Sequence, residues 1–133
     1  MINDQKEKIN YNLEERTTKF GINIIKLAKK ISKTPENLPI ISQLVKAGTS
    51  VGANYCEATE GESKKDFIHK IGIAKKEAKE TKFWLKMTLI AEPKLKEEID
   101  SLSEETQELI LIFSKIKQSC TKLIIDNCKL KIH

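Results

Sequence analysis

Prolines stand at only three of 133 positions, Pro35, Pro39 and Pro93, and the glycines are Gly21, Gly48, Gly52, Gly61 and Gly72. Long stretches therefore run without a strong helix breaker, and their apolar residues return to one side of a 3.6-residue helix. A chain of this length supports one core. The pattern predicts a single all-α domain: four amphipathic helices in an up-down-up-down bundle.

The expected helices cover about residues 13–32, 39–60, 64–90 and 103–125. Residues 1–11 and 126–133 are expected to be disordered or frayed tails. In the first helix Leu13, Phe20, Ile24, Leu27 and Ile31 form the apolar face, and Ile22 and Ile25 point away from it. Pro35 disfavours helical geometry at Thr34, and Pro39 suits a first turn. Leu44, Val51 and Tyr55 lie on the core face of the second helix, among small residues that invite close approach by another backbone: Ala47, Gly48, Ser50, Gly52 and Ala53. A phosphate loop is the rival reading of that stretch, but no strand precedes it and no Gly-Lys-Ser/Thr follows.

Gly61 reads as a C-cap and Ser63 as an N-cap with Asp66 three residues on. The third helix then presents Phe67, Ile71, Ala74, Ala78, Leu85 and Leu89 to the core, with a second stripe of Ile73, Glu77, Glu80, Trp84 and Ile90. Two stripes on one helix point to an oligomer. Residues 94–102 read as a connector, and Ser103 as the start of a fourth helix carrying Leu109, Ile110, Phe113, Ile116, Cys120, Leu123 and Ile124.

The net charge of +5 is unevenly spread. Residues 63–91 carry eight lysines against three acids, and residues 92–107 carry two lysines against six acids. Lys64, Lys75, Lys79, Lys82 and Lys86 form a row along the third helix, and Lys26 and Lys30 stand on the first. Repeated around an oligomer, such rows suit phosphate backbones through counterion release. Arg16 is the sole arginine, so base-specific reading by bidentate forks is not expected. These seven lysines are the candidate nucleic-acid contacts, RNA or DNA.

Ser50, Asn54 and Glu57 share a stripe on the second helix. With Glu77, Glu80 and Trp84 they are read as a polar network or oligomer interface. No catalytic constellation, cofactor site or metal site is expected: no Glu-x-x-His pair occurs, and His69 and His133 are the only histidines. Cys56 and Cys120 read as buried thiols. The odd count of three cysteines without a C-x-x-C pair favours a reducing compartment, and no apolar run approaches the ~20 residues of a membrane span. A cytoplasmic protein without membrane partners is the expectation.

The segments Ser50-Val51-Gly52-Ala53-Asn54, Glu57-Ala58, Ser63-Lys64-Lys65-Asp66-Phe67, Ile73-Ala74-Lys75-Lys76-Glu77-Ala78 and Glu80-Thr81-Lys82-Phe83-Trp84-Leu85 carry a resemblance. Together they resemble the bacterial four helix bundle proteins, over roughly residues 14–125. That family includes proteins encoded in intervening sequences of 23S ribosomal RNA genes and the accessory variability determinant (Avd) of diversity-generating retroelements. The resemblance implies a left-handed bundle assembled as a homopentamer with a basic surface. It also implies nucleic-acid binding, with a reverse transcriptase as partner in the retroelement branch. Lys46 stands where many relatives carry arginine, and Ala58 where they carry glycine. The function expected is therefore a non-enzymatic, oligomeric nucleic-acid-binding protein. The alternative is a protein–protein adaptor whose basic face meets an acidic partner such as a reverse transcriptase.

Overall fold

The computed structural model describes the backbone of residues 2–132 and the side chains of residues 13–128. Its helices are α1 (Ile2–Lys29), α2 (Asn37–Thr59), α3 (Lys64–Ala91) and α4 (Lys96–Ile132), with a single 3-10 turn at Pro93–Leu95. Among the described residues there is no strand. Each helix packs on its sequence neighbours and α4 also packs on α1, while the diagonal helices α2 and α4 meet only through core side chains such as the Tyr55 and Phe113 rings, 6.3 Å apart. The pairings run in opposite directions: Thr17 lies by Gly52 and Ile24 by Gly48, while Gly72 lies by Lys117 and Lys82 by Gln107. This is an up-down-up-down four-helix bundle.

The core faces of α1, α2 and α3 match the apolar periodicity. Leu13, Phe20, Ile24, Leu27 and Ile31 are buried, as are Leu44, Val51 and Tyr55, and Ile71, Ala74, Ala78 and Leu85. Four threonines complete the interior: Thr17, Thr81, Thr88 and Thr106. Each hydroxyl donates to a carbonyl of its own preceding turn, Thr81 to Glu77 at 2.8 Å and Thr106 to Leu102 at 2.6 Å. The polar group is thereby satisfied and the methyl is left to pack.

Several boundaries depart from expectation. Helix α1 is helical from Ile2, where a tail over 1–11 was expected; residues 2–12 contain neither proline nor glycine to stop it. Met1 and His133 lie outside the described residues. Helix α4 starts at Lys96, seven residues before the expected Ser103. Pro93 opens the 3-10 turn, and Glu97 and Glu98 then occupy the first turn of α4, where acids favour the helix dipole. Leu95, Ile99 and Leu102 are buried in the segment expected to be a connector. At its far end α4 runs to Ile132, through the expected frayed tail.

Ser63 does cap α3, its Oγ accepting from the Asp66 N–H at 3.1 Å. Gly61 follows the actual C-cap of α2, Glu60, and takes no left-handed φ. At the opposite end of the bundle Glu92, which closes α3, joins two connections. Its Oε1 accepts from the backbone N–H of Ser32 at 2.9 Å, tying the α1–α2 loop to the α3–α4 junction.

Candidate nucleic-acid interface

Helix α4 divides the charge of the molecule into two regions. Its first half is acidic and lies against α1. There Arg16 donates to Glu105 at 2.9 and 2.6 Å and also meets Glu108, while Lys30 pairs with Glu98 at 2.5 Å. The acidic stretch thus neutralises cations of α1 within the same chain. The Glu105 and Glu108 carboxylates in turn hold the Arg16 guanidinium above its ordinary pKa.

The second half of α4 is basic. Residues 115–131 carry five lysines against one acid, and this half lies beside the N-terminal half of α3, itself rich in lysine. Two contiguous grooves follow this seam. One, of about 440 Å³, is lined by Lys65, Ile68, His69, Gly72, Ile73, Lys76 and Lys117. The other, of about 640 Å³, is lined by Lys75, Lys117, Lys122 and Asp126 together with Ser114, Gln118, Thr121 and Ile125. Lys117 is common to both.

The expected lysine row does lie on α3, but its members differ in surroundings. Lys64, Lys79 and Lys86 are exposed, Lys75 is half-buried in the second groove, and Lys82 donates to the Gln107 side chain at 2.7 Å. Lys26 is exposed near the end of α1 and Lys30 just beyond it, paired with Glu98 of α4; α1 and α3 are not neighbours in the bundle. The seven predicted contacts therefore do not form one surface. Lys65, Lys76, Lys117 and Lys122 went unread as contacts, although the lysine excess after residue 114 was visible in the sequence.

The predicted polar network is also divided. Ser50 donates to the Lys46 carbonyl at 2.5 Å and Asn54 to the Ser50 carbonyl at 2.8 Å, both within α2. Glu57 pairs with Lys70 of α3 at 2.6 Å. Glu77 is half-buried, and desolvation followed by repulsion from Glu80 raises its pKa, opposed by Lys76 and Lys46. Glu80 is exposed. Trp84 packs on the core and meets the Phe83 ring edge-on, with 5.0 Å between centroids.

Apolar exposure on α3 falls on Ile90 (78%), a member of the expected second stripe, and on Phe83 (50%), which lies outside that stripe. Ile22 and Ile25 are exposed on α1, as their position off the core stripe implied. The buried-thiol expectation is corrected: Cys56 is exposed, and Cys120 lines an open groove with Leu123, since α4 continues past the well-covered part of the bundle.

Among the described residues no group of His, Cys, Asp and Glu side chains could hold a metal ion, and no helix is long and apolar enough to cross a membrane.

No curated protein matches this chain. A crystal structure of a protein of unknown function from the S23 ribosomal protein family of Bacteroides thetaiotaomicron is similar to it. The two share 31% identity over 78% of this chain and 96% of that one, with a TM-score of 0.72. The family model for the 23S rRNA-intervening sequence protein matches residues 10–115. With the four-helix fold and the Ser50–Leu85 motifs in place, this chain belongs to the 23S rRNA-intervening sequence protein family.

Proposed function

We propose that the protein is a non-enzymatic homopentameric bundle that binds nucleic-acid backbone with little sequence preference. The observation that carries this reading is the separation of charge. Glu98, Glu105 and Glu108 of α4 pair with Lys30 and Arg16, while Lys65, Lys75, Lys76 and Lys117 make no ion pair with a described carboxylate. Unpaired lysines attract phosphates as point charges, and a ring of copies multiplies their field. The family's name links its members to 23S rRNA, which makes RNA the first ligand to test.

The exposed Phe83 and Ile90 favour a second reading, in which α3 meets a protein. That partner is another copy of the chain or an acidic protein such as a reverse transcriptase. One experiment separates the readings: binding to labelled RNA and duplex DNA across a salt series, with mass by light scattering on the same sample. Affinity that falls steeply with salt, seen with an oligomer, supports nucleic-acid binding. An oligomer that ignores both ligands at low salt overturns it in favour of a protein partner.

A further inference from the structure

Gly72 lies inside α3 with no packing reason to be glycine. Gly48 and Gly52 are held by close approach of α1, whereas among the described residues a Cβ on Gly72 would meet only the far end of Lys117, with Nζ at 3.3 Å. Its φ is not positive, so backbone conformation does not require glycine either. Glycine in a helix interior is destabilising, and a bare backbone in a groove allows close approach by a ligand.

The groove around it is strongly cationic. Lys65, Lys76 and Lys117 line it, and Lys75 and Lys122 continue the same seam. None of these five makes an ion pair with a described carboxylate. Among the described residues Asp126 is the one acid lining the seam.

We infer that the α3–α4 seam, with Gly72 as its floor, is the track that receives the phosphodiester backbone of a nucleic acid. This rests on the nucleic-acid reading above but moves the site. The backbone lies in the seam between α3 and α4 rather than along the outer row through Lys79 and Lys86 and on to α1. The bare Gly72 backbone lets a phosphate sit low enough for Lys76 and Lys117 to reach it from opposite walls.

The test compares two triple variants that remove equal charge, with a labelled mixed-sequence single-stranded RNA as probe. Lys65→Gln/Lys76→Gln/Lys117→Gln should weaken binding by at least about tenfold and lower the magnitude of the salt slope by about two to three. Lys26→Gln/Lys79→Gln/Lys86→Gln should change affinity far less. Gly72→Leu should weaken binding severalfold while the melting temperature holds or rises, because leucine is the better helix former.

Equal losses in the two triple variants would overturn the seam while leaving nucleic-acid binding intact, as would wild-type affinity in Gly72→Leu. Tighter binding of poly-glutamate than of RNA at matched charge would make the seam an acidic-protein site and also overturn it. A wild-type protein that binds no RNA at low salt would remove the functional reading itself, and the seam with it.

Discussion

Gly48 sits directly against Ile24: a methyl group built on its α-carbon would lie 2.7 Å from Cγ2 and 2.8 Å from Cγ1 of that isoleucine. This pair sets how closely α1 and α2 approach. Gly48→Ala should gain up to about 1 kcal/mol of helix propensity and lose about 1–3 kcal/mol to overpacking, a net destabilisation. Combined with Ile24→Ala, which removes both Cγ1 and Cγ2, Gly48→Ala should cost less than it does alone, because the two nearest atoms it collides with are gone. Urea denaturation of the two single variants and the double variant checks both statements. Gly21→Ala is the control: its Cβ would meet Thr49 Cα at 3.6 Å, ordinary contact, and stability should rise.

Glu92 provides the acid sensitivity of the bundle end. The Ser32 N–H bond, with Lys94 nearby, holds its carboxyl below the usual 4.5. An acid whose folded pKa is depressed stabilises the fold above its unfolded pKa, and that contribution is lost as pH falls through the folded value. Melting temperature followed from neutral to about pH 3 should therefore fall below the ordinary carboxylate range. Glu92→Gln should lower it at neutral pH and flatten the acid limb. A variant with the wild-type acid profile would remove Glu92 from this role.

Arg16 joins α1 to α4, the two neighbouring helices that touch each other least. The Arg16 and Glu105 side chains are 30% and 27% exposed, so the fork is partly shielded from water. Arg16→Ala should cost about 1 kcal/mol, and Arg16→Lys most of that, because an ammonium cannot reproduce two parallel donors. A double-mutant cycle with Glu105→Gln should show coupling that shrinks as salt is added.

What could be read from the chain alone was whatever follows from periodicity within one helix. The stripe from Leu13 to Ile31 and the stripe from Ile71 to Leu85 each depend only on 3.6-residue spacing, and they are buried as written. Thr81, Thr88 and Thr106 were missed because threonine counts as polar until its hydroxyl is seen returning to its own helix. With Thr106 counted as apolar, the series Leu95, Ile99, Leu102, Thr106, Leu109 would have extended α4 back through the supposed connector. The cationic seam was hidden for a different reason: no count along one helix shows that Lys117 of α4 lies over Gly72 of α3.

Oligomer formation makes its own demand on α3. Phe83 is 50% exposed and Ile90 78% exposed, neither belongs to the buried core, and Phe83 is braced by the Trp84 ring. If copies meet through this face, Phe83→Lys and Ile90→Lys should lower the mass in solution while leaving the melting temperature of the separated chain nearly unchanged. Burying a large apolar side chain contributes about 1.5–3 kcal/mol, so each substitution should raise the dissociation constant by about tenfold or more. Trp84→Ala should behave differently, because Trp84 packs on the core: it should lower both mass and stability. Light scattering over a range of concentrations, paired with thermal melts, separates these outcomes. A lysine variant that keeps the full oligomer mass would place the contact elsewhere, and the exposed Ile22 and Ile25 of α1 would be the next residues to change.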